Sequence, residues 1–340
     1  MYCNIVCECC FVFTETTDNE YSTLYLHKAL TILASVEPSV IAELGAVPGG
    51  MTLIDAETMQ AIEKRVTVER VAGGGSGANT AVVAARMGAS VAYLGKLAED
   101  DAGKHFAHDI REQGITFPSQ PLAASRSIPT ARCIILVTPD GQRTMFTYLG
   151  ACTEFTRDDV IGDVVASSAV TYLEGYLYDK PQAQDAFNHA ATLAHAAGRD
   201  VALTLSDTFC VERHRSAFHG LVAGHVDILF ANEAELLALY ETTDFEAATR
   251  KVAVETKLAV ITRSEKGAVV IAGEERHDVS TAQVKVVDTT GAGDAFAAGF
   301  LAGLSKGRDL TTCAKLGNAA AGDIITRFGA RPEKDFALKA

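Results

Sequence analysis

Residues Val287–Phe296 read V-D-T-T-G-A-G-D-A-F, and this stretch carries the strongest local signal in the chain. β-branched residues precede it from Val284 onward, and small and apolar residues at helical spacing follow it, so the pattern predicts a strand, a glycine turn and a helix. Successive backbone N–H groups of Gly291, Ala292 and Gly293 would point into one concavity beside the positive end of the helix dipole. We therefore predict an anion-binding turn.

Asp294 directly follows these glycines and would lie beside the oxygens of a bound anion. A carboxylate there is unfavourable unless it has a chemical task, and accepting a proton from an attacking hydroxyl group is such a task. The alternative is a structural glycine turn with an Asp at the start of its helix. The length of the run favours Asp294 as general base, with the amides of Gly291, Ala292 and Gly293 holding the charge that develops in the transition state.

The run D-T-T-G-A-G-D-A-F resembles the C-terminal signature of the ribokinase-like (PfkB) carbohydrate and nucleoside kinases. An earlier stretch, Gly73–Asn79, reads G-G-G-S-G-A-N and resembles the N-terminal G-G-x-x-x-N signature of the same family. The resemblance covers roughly residues 29 to 335. It implies a ribokinase-like α/β fold in one domain over 1–340, with a mostly parallel central sheet, helices on both faces and a small β lid from segments of roughly 29–55 and 122–150.

The resemblance assigns four residues to the substrate. Gly74 and Gly75 would let the backbone approach a ligand closely, and the Asn79 amide can both donate to and accept from a sugar hydroxyl. Arg143 begins the second strand of a predicted β-hairpin and matches a family Arg that reaches the transferred phosphate. The alternatives are structural glycines and a solvated arginine.

The sequence N-x-x-E at Asn232–Glu235 follows a predicted strand. It matches a family motif whose Glu orders water around magnesium and phosphate, which makes Asn232 a nucleotide-site residue and Glu235 a magnesium residue. An ordinary helix cap is the alternative, because Asn and Glu are common at helix starts for dipole reasons alone.

Three further residues are assigned to the nucleotide. Thr262 and Gly267 match part of a family T-x-G-x-x-G motif, although Ser264 stands where a Gly is usual. Asn318 lies in a small-residue helical pattern that would leave room for an adenine ring; tight helix packing is the alternative.

Asp288 and Thr290 lie where some relatives hold a monovalent cation. The resemblance thus adds K⁺ to the expected cofactors ATP and Mg²⁺.

The chain has 340 residues and a formal net charge of −13. This acidity argues against a nucleic acid or an anionic membrane as the main partner, but not against ATP, because a local glycine loop binds phosphate inside an acidic protein. No apolar run reaches the length of a membrane span and no region resembles a signal peptide, so we expect a cytoplasmic protein. The sequence leaves monomer and homodimer open.

Residues 1–28 depart from the family pattern. The family's first strand ends in a glycine followed by an Asp that holds sugar hydroxyls, and neither is present. A misplaced start or an upstream frameshift is favoured over real divergence, so we expect this segment not to be native to the fold. Its four cysteines (Cys3, Cys7, Cys9 and Cys10) lack paired C-x-x-C spacing and a neighbouring His, which disfavours a metal site.

The predicted function is ATP-dependent phosphorylation of a primary hydroxyl of a nucleoside or sugar. Adenosine is the leading substrate, because Leu205–Arg215 resembles adenosine-kinase-like bacterial members. A fructokinase- or ribokinase-type sugar kinase is one alternative, and a catalytically impaired nucleotide- or sugar-binding homologue is another. A dinucleotide-dependent oxidoreductase is disfavoured because Gly73–Gly77 does not give G-x-G-x-x-G spacing.

Overall fold

A computed structural model of the chain describes residues 10–13, 30–140, 142–333 and 336–340. The strands are β1 Cys10–Phe13, β2 Leu30–Ser35, β3 Met51–Leu53, β4 Arg70–Gly73, β5 Val91–Tyr93, β6 Arg132–Val137, β7 Arg143–Tyr148, β8 Val170–Glu174, β9 Asp200–Thr204, β10 Ile228–Asn232, β11 Leu258–Thr262, β12 Ala268–Ala272 and β13 Glu275–Val279. The helices are α1 Pro38–Glu43, α2 Ala56–Arg65, α3 Ser76–Arg86, α4 Asp101–Glu112, α5 Gly162–Ala166, α6 Pro181–Ala196, α7 Thr208–His225, α8 Glu233–Leu239, α9 Phe245–Glu255, α10 Ala292–Ser305 and α11 Leu310–Ile324.

The large sheet has the order β13-β12-β11-β10-β9-β8-β1-β5. Strands β8 to β11 run parallel, whereas β12, β13 and β1 pair antiparallel with their neighbours. The parallel strands are short apolar runs with nearly every side chain buried, because the helices between them cover the sheet. The predicted α/β fold is confirmed, with a mixed sheet around a parallel centre.

A second, smaller sheet has the order β3-β7-β6-β2-β4. Strands β6 and β7 form the predicted hairpin, although Gly141 of its turn lies outside the described residues. One face of this sheet packs on α1 and α2 through Ile32, Ile41 and Ile62. The small sheet therefore has its own apolar core, and its β4 extends it beyond the two predicted lid segments. We refer to this sheet as the lid.

The strand predicted before the glycine turn is wrong. Residues 281–287 are irregular, and the last strand before them is β13. The N–H groups of Val287 and Asp288 both donate to the carbonyl of Ile325, beyond the end of α11, instead of to a neighbouring strand. The β-branched side chains that suggested a strand are exposed, at 37% for Val284 and 54% for Val286.

Residues 10–13 are the part of the atypical N-terminal segment that the structure describes, and their backbone forms β1 between β5 and β8. The rest of residues 1–28, including Cys3, Cys7 and Cys9, lies outside the described residues. Whether this segment is native to the fold therefore stays a prediction. Within the described part of the chain, no helix combines the length and the apolar character needed to cross a bilayer.

Candidate active site

A cleft of about 490 Å³ opens where the carboxyl ends of β9, β10 and β11 meet the start of α10 and one side of α11. This is the edge at which ligands bind in parallel α/β sheets. Eleven of the residues predicted from the sequence line it: Asn79, Asn232, Glu235, Thr262, Gly267, Thr290, Gly291, Ala292, Gly293, Asp294 and Asn318.

The glycine turn at the start of α10 combines a positive φ with an open face. Gly291 has a φ of +78°, and an added Cβ would lie 2.6 Å from Cβ of Ala330, so only glycine fits. A Cβ added at Gly293 would meet nothing within 4 Å, which leaves this residue open to the cleft. Among the described residues, the N–H groups of Gly293 and Asp294 have no acceptor, whereas the Ala292 N–H, which was predicted to face the anion, donates to the Thr289 carbonyl at 3.2 Å. The two free donors of Gly293 and Asp294 at this helix start can hold a phosphate oxygen.

Asp294 lies in the first turn of α10 and is held by two donors from α3. Ser76 Oγ donates to Asp294 Oδ1 at 2.6 Å, and Asn79 Nδ2 donates to Oδ2 at 3.0 Å. Burial raises the pKa of the Asp294 carboxyl to about 6, against the opposing effect of these two hydrogen bonds. The carboxylate is therefore oriented and still basic enough to accept a proton near neutral pH.

Ser76 is a site residue that the sequence analysis missed. It begins α3 one turn before Asn79, so both side chains face α10. The available signal was its place inside the glycine stretch, three residues ahead of Asn79.

Gly74 and Gly75 are not among the residues that line the cleft. A Cβ added at Gly74 would be 2.2 Å from Oγ1 of Thr31, and Gly75 has a φ of +103° at the start of α3. These glycines let a lid strand approach closely and start the helix that carries Asn79. Their contact with a substrate stays a prediction.

Arg143 extends from β7 of the lid to the loop before α10. Its Nη1 donates to Asp288 Oδ2 at 2.6 Å and is 3.3 Å from Oγ1 of Thr290. Burial favours the neutral form of the Asp288 carboxyl, but hydrogen bonds from Gly329 and Thr290 and the charge of Arg143 outweigh it and hold the pKa below its ordinary value. Both Asp288 oxygens already accept hydrogen bonds, and the role of Asp288 and Thr290 in holding a monovalent cation stays a prediction.

Asn232 and Glu235 form a reciprocal cap at the start of α8. The Asn232 side chain accepts from the Glu235 N–H, and Glu235 Oε2 accepts from the Asn232 N–H, each at 2.9 Å. Burial raises the pKa of the Glu235 carboxyl to about 7, and the nearby Asp207 adds to the effect. The described residues contain no group of three or more potential metal ligands. A magnesium ion here would be held largely by water and ligand oxygens, which suits its usual coordination.

Part of the cleft wall is apolar. Val284 and Val286 of the irregular loop line the cleft, as do Ala321 and Ile325 on the α11 side. The Asn318 amide donates to the carbonyls of Val279 and Ser280 at 3.3 and 3.2 Å, and thereby ties α11 to the end of β13. Thr262 and Gly267 also line the cleft, and their contact with a nucleotide stays a prediction.

Residues 47–335 match the family model described as pfkB family carbohydrate kinase. The adenosine kinase from Sinorhizobium meliloti is 51% identical with a TM-score of 0.81, and the match covers 89% of this chain and 93% of that one. A probable sugar kinase from Rhizobium etli CFN 42 is 46% identical with a TM-score of 0.81, covering 89% and 92%. The adenosine kinase of Saccharomyces cerevisiae is 30% identical over 278 residues, covering 76% of this chain and 79% of that protein.

Proposed function

The chain belongs to the pfkB family of carbohydrate kinases, and from that premise we propose that it transfers a phosphoryl group from ATP to a primary hydroxyl of adenosine. Kinases of this family are phosphotransferases that act on hydroxyl groups, and so is this chain. Adenosine is favoured because a protein named adenosine kinase is 51% identical over most of both chains. A sugar is the second candidate, because a probable sugar kinase is 46% identical over a similar share.

One observation carries the proposed chemistry. The Asp294 carboxylate is held by Ser76 and Asn79 directly beside the open Gly293. Consider a hydroxyl group placed between this carboxylate and an anion bound by the free N–H groups. The carboxylate would activate the hydroxyl group, and the same placement would align it with the anion. Phosphoryl transfer needs this positioning and charge stabilisation more than it needs covalent chemistry.

In the proposed mechanism Asp294 accepts the proton of the attacking hydroxyl group. The N–H groups of Gly293 and Asp294 hold the charge that develops on the transferred group. Arg143 reaches the same turn from the lid and supplies a positive charge there. Its side chain is 15% exposed, so solvent screens that charge less than it would on an open surface.

The cleft fits the expected cosubstrate and metal. The open face of Gly293 and the two free N–H groups suit a polyphosphate, and the apolar part of the wall formed by Val284 and Val286 suits a purine ring. Glu235 would hold water beside a magnesium ion bound to the phosphates. The N–H group of Asn232 keeps the Glu235 carboxylate in place. ATP supplies the phosphoryl group, and Mg²⁺ neutralises part of its charge.

The test is ATP consumption with magnesium against adenosine, other nucleosides, ribose and fructose, for the wild type and Asp294→Asn. We expect turnover on adenosine, and a loss of about 10²- to 10⁴-fold in Asp294→Asn because the general base is removed. Asp323→Asn on α11 is the matched control, since it also removes one carboxylate but not one from the cleft.

Wild-type turnover in Asp294→Asn would refute the base assignment. Activity on sugars alone would favour the second candidate. ATP binding without phosphorylation of any acceptor would favour an impaired binding homologue.

A further inference from the structure

We propose that Arg331 is a positioning residue that fixes the Asn79 amide with its NH₂ group, and not its oxygen, facing the Asp294 carboxylate. Arg331 lies in the loop after α11, far from both residues in sequence. The inference rests on the proposed function, because it concerns how the general base of that reaction is held.

Two hydrogen bonds connect these residues. Arg331 Nε donates to Asn79 Oδ1 at 3.3 Å, and Asn79 Nδ2 donates to Asp294 Oδ2 at 3.0 Å. An arginine only donates hydrogen bonds and an ionised carboxylate only accepts them. The amide between them therefore satisfies both neighbours in one orientation alone. A flipped amide would place its oxygen against the carboxylate and its NH₂ against the guanidinium.

The guanidinium is itself fixed from the other side. Its Nη1 contacts Asp109 Oδ2 at 2.5 Å, on α4. A Cβ added at Gly73 would lie 2.3 Å from both of these atoms, so the ion pair occupies the space that a side chain at Gly73 would need. Gly73, the first glycine of the G-G-G-S-G-A-N stretch, does not line the cleft. Its role in the structure is to leave room for the ion pair of Arg331 and Asp109.

The orientation of the Asn79 amide matters because few groups of the described residues contact the Asp294 carboxylate. Ser76 and Asn79 face this carboxylate from α3. On the side of β8, the buried phenol of Tyr172 is an ionisable group close enough to interact with the carboxylate electrostatically. Arg331 reaches it only through Asn79. The hydrogen bond from Asn79 lowers the pKa of Asp294 against the raising effect of burial. Losing the fixed NH₂ group should raise that pKa and loosen the carboxylate.

The first experiment compares Arg331→Met with Arg327→Met. Arg327 is a matched control from the same C-terminal region, because it is similarly shielded and pairs with Asp323 outside the cleft. We expect Arg331→Met to lower kcat/KM for the acceptor about tenfold to a hundredfold, with the KM for ATP unchanged and the acidic limb of the pH profile moved to higher pH. Arg327→Met should leave all three unchanged.

A double-mutant cycle tests whether Arg331 acts through Asn79. In an Asn79→Ala background, the added Arg331→Met substitution should have no further effect on kcat/KM. An equal loss in both backgrounds would show an independent structural role and would overturn the proposal. If Arg331→Met does not fold, Asp109→Asn takes its place, because it releases the guanidinium without removing it, and a smaller shift in the same direction is expected.

A second measurement does not depend on turnover. The carboxyl ¹³C signal of Asp294, assigned through Asp294→Asn, is titrated in the wild type, Arg331→Met and Arg327→Met. A higher pKa in Arg331→Met alone supports the proposal, and an unchanged pKa overturns it. This result stands even if the wild type phosphorylates no acceptor, which would refute the proposed function instead.

Discussion

Arg143 of the lid strand β7 contacts Asp288 of the loop before α10 at 2.6 Å, and the two residues are 145 positions apart in the chain. Their side chains are 15% and 7% exposed, so the pair is largely shielded from water. The exposed ring of Phe328 lies 5.2 Å from the guanidinium and adds a cation–π contact. A charge-assisted pair in this setting joins the lid to the loop before α10.

Replacing Arg143 should reduce both catalysis and stability, because the shielded Asp288 carboxylate loses its charged partner. We expect Arg143→Met to lower kcat/KM for the acceptor about a hundredfold, because a positive charge close to the anion turn is lost. Steady-state kinetics measure the effect. Arg276→Met is the control, since Arg276 is ion-paired with Glu246 and Asp278 away from the cleft. Equal losses in both variants would argue against a role for Arg143 at the site.

The two glycines of the turn should respond in opposite ways to alanine. Gly291→Ala places a side chain at a φ of +78° and against Ala330, and should destabilise the fold by about 1–3 kcal/mol. Gly293→Ala meets open space in a helical first turn and should be neutral or stabilising by about 0.5–1 kcal/mol. Its methyl group would instead obstruct the phosphate position and raise the KM for ATP. Urea unfolding and ATP kinetics on both variants separate the two effects.

The activity should depend on the ionisation of Asp294. Because the pKa of this carboxyl is about 6, kcat/KM should fall as the pH decreases through that value and level off above it. Replacing Ser76 with Ala removes a hydrogen bond that lowers this pKa, so the acidic limb should move to higher pH. A pH profile that stays flat down to pH 5 would contradict the base assignment.

The buried carboxyl group of Asp294 should also lower the free energy of unfolding at neutral pH. Its pKa rises on folding from the ordinary value of 3.8, so the folded state binds more protons than the unfolded state between about pH 4 and 6, and stability falls as the pH rises through that window. Above pH 6 the cost is fully present. Asp294→Asn removes it and should be more stable at pH 8, by on the order of 1–3 kcal/mol. Urea unfolding at pH 8 and pH 4.5 should show the difference shrinking at the lower pH.

The exposed valines of the cleft should contribute to nucleotide binding. Val286→Ser is expected to raise the KM for ATP about five- to tenfold, because an apolar contact with the purine ring is lost. Val254→Ser is a matched control, since Val254 is 85% exposed on α9 and does not line the cleft. Neither substitution should change the melting temperature appreciably. An unchanged KM in Val286→Ser would place the ring elsewhere.

The glycine turn and its Asp could be predicted because their signal is local. Gly291, Gly293 and Asp294 lie within four positions, and the small residues after them leave a clear helical pattern. The N-x-x-E cap at Asn232 was recognisable for the same reason, since both partners lie in one helical turn. The parallel strands β8 to β11 are likewise short apolar runs, whose signal is local.

What could not be predicted depends on contacts between distant parts of the chain. The hydrogen bond of Ser76 to Asp294 spans 218 positions, and that of Arg331 to Asn79 spans 252. No local pattern encodes such partners. The valines before the turn were interpreted as a strand from their intrinsic preference, but tertiary structure overrides it, because their loop bonds to Ile325 and exposes them to the cleft.

Asp288 also receives hydrogen bonds from the N–H of Gly329 at 2.8 Å and from Thr290 at 3.1 and 2.7 Å. One carboxylate thus ties the lid, the C-terminal loop and the glycine turn together. If any one of these segments opens, the Asp288 carboxylate loses one of its hydrogen-bond donors and holds the other two segments less strongly. The amide groups of all three segments should therefore exchange their hydrogens together. The candidate site then behaves as a single cooperative unit, either wholly assembled or wholly open.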